Sequence, residues 1–135
     1  MDGGPQSTGG LGSLQKVEGG NYIINGGIRP VLYSEKFQGR MLKLDAQGDT
    51  LWSTVYGDTL NTFMAWTTHE LESSNTLTLG WNRCPNDERS FIHLAKYTPQ
   101  GELLFTKSIE SECYHNSPAQ IIPTDDGSLL ISFRC

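Results

Sequence analysis

The sequence predicts an all-β fold of β-propeller-type blades, about two and a half four-stranded antiparallel units. Two patterns carry this prediction: a repeat with a period of 52–54 residues, and glycine-containing turns between short strand patterns. Composition agrees, because 36% hydrophobic residues with 15 glycines is typical of short strands joined by turns. An ordinary β-sandwich that contains two similar hairpins is the alternative.

The clearest repeat is a hairpin. Residues 43–53 (KLDAQGDTLWS) match residues 96–106 (KYTPQGELLFT) at an offset of 53. Lys, Gln, Gly and Leu recur, and the remaining matches include an aromatic pair, Trp52 and Phe105. We expect this pair to occupy equivalent core positions between stacked blades, because a small sheet must bury its apolar side chains against a neighbour.

A second segment keeps the period. Residues 21–26 match residues 75–80 at an offset of 54, and residues 127–132 continue the series at 52. Alternation along these strands predicts which side chains share a face. The alignment places Leu77, Leu79 and Trp81 on one face, and Leu129, Ile131 and Phe133 on the matching face of the last unit.

Strands and turns follow in each period. In the best-preserved unit, strand patterns cover residues 64–72, 76–82, 90–97 and 103–110. The segments 45–48, 98–101 and 124–127 each end in glycine, which predicts a type I turn followed by a left-handed residue. Asp45 is expected to cap its own turn.

The predicted organisation is a flexible N-terminal tail followed by one repeat region. Residues 26–39 form the longest irregular stretch, a loop inside the first unit. The predicted parts are a tail over 1–10 and a repeat region over 11–135, with blade one over about 11–57, blade two over about 63–110 and a half blade over 118–135.

Residues 41–57 (MLKLDAQGDTLWSTVYG) resemble the KLD-x-x-G-x-x-x-W-x-x-x-YG element of secreted or cell-surface β-propeller repeat proteins of Bacteroidetes-type bacteria. Residues 19–26 (GGNYIING) are similar to a second element of that repeat, DGGYIIAG. The resemblance implies a propeller fold and a secreted or surface location, although a cytoplasmic location stays open. The second unit departs from the pattern, with Tyr97-Thr98 and Ile109-Glu110 in place of Leu-Asp and Tyr-Gly.

Two and a half blades are too few for a closed propeller. Either further blades of the same polypeptide complete it, or several copies close a ring. Three cysteines bear on this choice. If Cys84 and Cys113 form a disulfide, the equivalent partner of Cys135 would lie in further blades of the same polypeptide. The alternative is three unpaired thiols.

Enzyme motifs are not found in the sequence, and we expect neither catalysis, a cofactor nor a metal. The histidines His69, His93 and His115 lie on separate predicted elements. A net charge of −5 with scattered acidic residues disfavours nucleic acid, and no apolar run is long enough for a membrane helix.

Binding is the predicted function. Candidate ligand-binding residues are Trp81, Asn82 and Arg83, which precede the 84–89 loop, followed by Trp66 and His69 on the first strand of the second unit. The alternative interpretation, which is the more common role of such residues, is that Trp81 and Trp66 belong to the core between blades. The first hypothesis is a non-enzymatic scaffold for protein–protein or assembly contacts within a larger protein. The alternatives are a carbohydrate-binding propeller made by oligomerisation, and part of an enzyme whose site needs further blades.

Overall fold

A computed structural model describes residues 8–29, 37–57, 62–83, 86, 89–110 and 117–134. Within these ranges the chain is almost entirely β, with a short 3-10 turn at Glu18–Gly20. The strands are β1 Thr8–Lys16, β2 Tyr22–Arg29, β3 Gln38–Leu44, β4 Thr50–Tyr56, β5 Thr62–Glu70, β6 Thr76–Arg83, β7 Ser90–Tyr97, β8 Leu103–Ile109, β9 Ser117–Pro123 and β10 Leu129–Arg134.

The strands form three antiparallel sheets in which each strand pairs with the next along the chain. Strands β1–β4 make blade 1, β5–β8 make blade 2, and β9 and β10 make a half-blade. The first strand of each later sheet lies closest to the sheet before it: β5 contacts β1, β2 and β3, and β9 contacts β5, β6 and β7. The sheets therefore stack as an incomplete propeller, which confirms the predicted fold class.

The predicted turns are confirmed. At the ends of the three turns, the amides of Gly48, Gly101 and Gly127 donate hydrogen bonds of 3.1, 3.0 and 3.0 Å to the carbonyls three residues earlier. All three glycines have positive φ, at 91°, 87° and 80°. A left-handed residue after a type I turn matches the twist of the flanking strands, and glycine adopts it without a steric penalty.

Acidic side chains cap two of these turns. The Oδ1 atom of Asp45 accepts hydrogen bonds of 2.9 Å from the amides of Gln47 and Asp49, as predicted for a turn cap. In the last turn Asp126 Oδ1 accepts a hydrogen bond of 2.6 Å from the Thr124 hydroxyl. This bond holds the pKa of Asp126 below its ordinary value.

Several predicted boundaries are wrong by a few residues. Strand β1 begins at Thr8, so residues 8–10 belong to a strand and not to a tail. Strands β2 and β3 extend to Arg29 and from Gln38, well into the predicted 26–39 loop. The three cysteines and His115 lie outside the described residues, so the disulfide hypothesis stays a prediction.

The predicted alignment of the last unit is wrong by one residue. The amide of Leu71 bonds the carbonyl of Asn75, and in the half-blade Thr124 bonds Ser128 in the same way, which sets the offset at 53. A shift of one residue moves every side chain to the other face. Leu129 and Ile131 therefore face blade 2 and pack with Leu77 and Leu79, instead of lying on the matching face.

Candidate functional site

The first interface joins blade 1 to blade 2. Its centre is a cluster of buried side chains from both blades: Val17, Ile23, Met41, Tyr56, Phe63, Ala65, Ala95 and Tyr97. Trp52 of β4 packs at its edge, and its indole Nε1 donates a hydrogen bond of 2.9 Å to the carbonyl of Pro99. A β-carbon on Gly101 would lie 2.8 Å from the indole ring, so the turn between β7 and β8 meets Trp52 through a glycine.

Four buried residues, which we call the polar quartet, link the two blades: Asn25, Met41, Thr68 and Thr78. The Asn25 side-chain amide donates to the Thr68 hydroxyl, and the Thr78 hydroxyl donates to the Met41 sulfur at 3.2 Å. Ser13 donates to Asn25 Oδ1 at 3.0 Å. Buried polar groups are costly without partners, so these bonds favour one relative position of the blades.

His93 of β7 is buried in the same interface. Its ring stacks on Tyr56 with centroids 5.7 Å apart and meets the Phe63 ring edge-on at 5.2 Å. Neither ring nitrogen has a hydrogen-bond partner within the described chain. Burial lowers the pKa of His93 to about 4 and raises that of the Tyr56 phenol, so both groups are neutral near pH 7.

Among the described residues, one ion pair crosses the first interface. Lys43 Nζ lies 3.9 Å from Glu70 Oε2, and both side chains are largely buried. The other carboxylate oxygen of Glu70 accepts a hydrogen bond of 3.0 Å from the Glu18 amide. Glu70 therefore joins the start of blade 2 to two elements of blade 1.

The second interface, between blade 2 and the half-blade, is aliphatic. Its buried members are Leu77, Leu79, Ile92, Leu94 and Ile121, with Leu71, Ile109, Leu129 and Ile131 packed against them. The strand pairings show that four of these residues occupy, one repeat later, the positions that the polar quartet occupies in the first interface. We call Leu79, Leu94, Ile121 and Ile131 the aliphatic quartet.

Phe105 is the point at which the two interfaces differ most. It pairs with Lys96 in β7, as Trp52 pairs with Lys43 in β3, so the two rings occupy equivalent register positions. Phe105 nevertheless remains 46% exposed. The half-blade has only two strands within the described residues, and no counterpart of the β7–β8 turn lies over this ring.

The outer faces of the stack are apolar as well. On blade 1, Leu14 pairs with Ile24 on the face turned away from blade 2, and Leu14 is 66% exposed. On the half-blade, Leu130 pairs with Ile122, and Leu130 is 56% exposed. These two faces are the unstacked ends of the described part of the chain.

A one-residue bulge recurs in the first strand of every unit. Register shifts place Gly12, Trp66 and Ala119 at the bulges of β1, β5 and β9. Bulges redirect the side chain that they carry. Trp66 is the one large residue among the three, and it is 39% exposed.

The predicted ligand-binding residues do not form one site. Trp81, Asn82 and Arg83 end β6, whereas His69 lies opposite Leu77, near the other end of that strand. The four-residue separation of Leu77 from Trp81 corresponds to about 13 Å. Trp81 is half-buried, Arg83 is exposed, and Trp66 projects from its bulge between these two ends of the sheet.

His69 instead borders a cleft of about 310 Å³ between blade 2 and the half-blade. Its lining residues are His69, Glu70, Leu71, Glu72, Ser73, Pro123, Thr124, Gly127 and Leu129. Glu70 already pairs with Lys43. In the part of the chain that the structure describes, no three His, Cys, Asp or Glu side chains are close enough to hold a metal ion.

No protein-family model matches the chain, and no curated protein matches it significantly. Within the described ranges no helix is long and apolar enough to cross a membrane. The exposed apolar surfaces and Trp66 are therefore the features of the described chain from which a function can be inferred.

Proposed function

We propose that the chain is a non-enzymatic binding module that makes protein–protein or assembly contacts as part of a larger secreted or cell-surface protein. The main support for this proposal is the pair of apolar outer faces, with Leu14 exposed on one and Leu130 exposed on the other. Exposed apolar faces of this kind favour association, because contact removes them from water.

The internal stacking indicates how these faces associate. Each sheet has a front face, toward the next sheet in chain order, and a back face, toward the preceding sheet. In both interfaces a front face packs against a back face. Leu130 and Ile122 lie on the front face of the half-blade, and Leu14 and Ile24 lie on the back face of blade 1. Two complementary faces at opposite ends support head-to-tail contacts, with copies of the chain or with further blades.

The ionisable side chains support a role without catalysis. Asp45 and Asp126 cap turns, Glu70 pairs with Lys43, and His93 is neutral in the first interface. Each of these groups already has a structural role. A perturbed pKa marks catalytic candidates only where the group can also reach a substrate.

Light scattering over a range of protein concentrations tests the proposal. We expect the average molar mass to rise with protein concentration, because copies of the chain associate. L14E or L130E should weaken the apparent affinity of this association about tenfold or more. L104E is the matched control, because Leu104 is 51% exposed but belongs to blade 2, which lies between the two outer faces. A monomer at every concentration contradicts assembly of copies.

Carbohydrate binding is the second candidate, and the exposed Trp66 favours it. A tryptophan on a bulge, with Gly12 and Ala119 at the equivalent bulges, offers an aromatic ring on which a sugar can stack. A glycan array with the wild type and W66A tests this function. Saturable binding that W66A abolishes and W66F largely retains supports it, and the absence of any bound glycan contradicts it.

A further inference from the structure

The first interface contains a carboxylate site that the chain fills itself. Glu70, the last residue of β5, reaches from the back face of blade 2 to blade 1. Its Oε2 atom lies 3.9 Å from Lys43 Nζ, and its Oε1 atom accepts a hydrogen bond of 3.0 Å from the Glu18 amide. The Glu18 side chain is exposed, and it does not prevent a second carboxylate from binding the amide of the same residue. A lysine and a turn amide are thus the two donors of this site.

The second interface repeats both donors without the carboxylate. Lys96 occupies the register position of the lysine, and Glu72 occupies the turn position whose amide donates. Pro123, the last residue of β9, occupies the position of Glu70 and offers no acceptor. Among the described residues, neither the Lys96 ammonium nor the Glu72 amide has a hydrogen-bond or ion-pair partner.

The cleft between blade 2 and the half-blade lies at this place. Glu72, Pro123 and Leu129 are among the residues that border it, and its volume is about 310 Å³. That volume is at the lower end of the roughly 300–1,000 Å³ that is typical of small-molecule sites. The cleft therefore has room for a small ligand or for one side chain with part of its backbone.

The position of the missing carboxylate is separated from any strand that continues the last sheet. In blade 2, Glu70 pairs with Thr76, and Thr76 pairs with Tyr97 of the third strand. Strand β6 thus lies between Glu70 and the third strand. In the half-blade, Leu129 lies in the same way between Pro123 and the outer edge of β10. The cleft is bordered by two turns and by the front face of blade 2, and all three belong to the described residues.

His69 adds a further donor to the cleft. It pairs with Leu77, which packs toward the half-blade, so His69 lies on the front face of blade 2. Gln15 occupies this register position in blade 1. Lys96 flanks Leu77 on the other side, which places the Cα atoms of the two basic residues roughly 10 Å apart. Even a neutral imidazole donates one hydrogen bond.

The acidic side chains around the cleft leave these donors available. The Glu70 carboxylate lies on the opposite face of blade 2, where Lys43 and a turn amide hold it. Glu72 is exposed at its turn, as Glu18 is in the first interface. Asp126 accepts hydrogen bonds within its own turn. Within the described chain, none of these carboxylates forms an ion pair with a basic residue of the cleft.

We propose that the cleft between blade 2 and the half-blade binds the carboxylate of a ligand, in the position that Glu70 has in the first interface. Lys96 supplies the opposite charge, and the Glu72 amide and His69 donate hydrogen bonds. Charge-assisted hydrogen bonds are stronger than neutral ones, so the site prefers a carboxylate to an amide of the same shape. The ligand is a small organic acid or the acidic side chain of a peptide. This site goes beyond the proposed assembly contacts, because it lies between two sheets and not on an outer face.

Titration of the full chain, followed by the amide resonances in nuclear magnetic resonance spectra, tests the proposal. The probes are glutarate and the peptide acetyl-Ala-Glu-Ala-amide, and the control is the neutral acetyl-Ala-Gln-Ala-amide. We expect saturable shifts of the Glu72 amide with at least one carboxylate probe and none with the control. Binding of the acidic peptide alone indicates a protein partner, whereas binding of glutarate alone indicates a small acid.

A pair of lysine variants tests the role of charge. K96Q should weaken binding of the carboxylate probe about tenfold, because it removes the ammonium group and keeps a side chain of similar length. K16Q is the matched control and should leave binding unchanged, since Lys16 is exposed on blade 1.

A second pair of variants supplies the carboxylate from the chain itself. P123E should abolish binding of both carboxylate probes, because its own side chain occupies the cleft as Glu70 occupies the first interface. P123Q removes the proline without adding a charge and should bind the probes as the wild type does. Urea unfolding gives an independent readout, in which P123E should have a higher midpoint than P123Q.

Three results would overturn the proposal: no saturation by either carboxylate probe at about 10 mM, well above a millimolar Kd; equal binding of the glutamine peptide; or unchanged binding in either K96Q or P123E. The proposed function is judged separately, because its test is the self-association of L14E and L130E, and neither leucine borders the cleft.

Discussion

The two interfaces perform the same packing task with different chemistry. In the first, the polar quartet joins the blades by hydrogen bonds, and in the second the aliphatic quartet occupies the equivalent positions. Apolar contacts stabilise stacking without fixing its position, whereas a satisfied hydrogen-bond network penalises every other arrangement. The comparison teaches that the stacked repeat tolerates either solution, and that the first interface is the more specific one.

The largest expected difference between the interfaces is their response to acid. The pKa of His93 is about 4 in the folded chain, against about 6.5 when unfolded. Between these values the unfolded state binds more protons, so the free energy of unfolding falls as pH drops from about 7 to 4, by about 3 kcal/mol. Urea unfolding of the wild type and H93F across this range measures the loss, and H93F should lack this component. An unchanged pH dependence in H93F would contradict the assignment.

The equivalent rings give the next largest effect. W52A should lower the free energy of unfolding by about 2–3 kcal/mol, because it removes half-buried packing and a hydrogen bond. F105A should cost less than about 1 kcal/mol, because nearly half of the residue is exposed and its ring has no hydrogen bond to lose. Equilibrium denaturation of both variants measures the difference. Equal losses would mean that Phe105 is covered in solution.

The quartets can be exchanged directly. N25L alone should cost about 2 kcal/mol, since it removes the amide that donates to the buried Thr68 hydroxyl and the oxygen that accepts from the half-buried Ser13 hydroxyl. Adding T68I and T78I, which reproduces the aliphatic quartet at every position except Met41, should recover most of the loss. Chemical denaturation of the single and triple variants tests this. A triple variant less stable than N25L would show that the two interfaces are not interchangeable.

The smallest expected effect concerns the turn between the first and second strands of each unit. Ser74 has a φ of 59°, where Gly20 and Gly127 stand in the other two units with φ of 76° and 80°. S74G should raise the free energy of unfolding by about 0.5–1 kcal/mol by relieving a left-handed conformation. Thermal unfolding measures the gain, and a destabilised S74G would show that Ser74 has a compensating contact.

Much of the fold was predictable from the sequence because the repeated features, glycine turns and short strand patterns, are encoded by residues close together in the chain. The turns at Gly48 and Gly101 set the hairpins, and residues 90–97 form β7 as predicted. The last unit was misaligned because Ser74 occupies a position that glycine marks elsewhere. An alignment by residue identity passed over it and assigned Leu129 to the wrong face.

The candidate surfaces were less predictable. The sequence identified Trp52 and Phe105 as equivalent, but exposure depends on what covers each ring, and that is a property of the neighbouring sheet. The β-bulges could not be predicted either, because Gly12 and Trp66 are unlike residues that share only an equivalent position in the strand pairing.

Consecutive pairing has a consequence for how such a chain changes length. In the described ranges every strand pairs with the next strand along the polypeptide, and no strand of one sheet is inserted into another. Duplicating or deleting one whole period therefore leaves each remaining ladder intact and merely adds or removes a layer. Gene-level slippage in multiples of about 53 codons therefore preserves the pairing within each sheet, whereas a slip that ends inside a strand would shift the register of that strand.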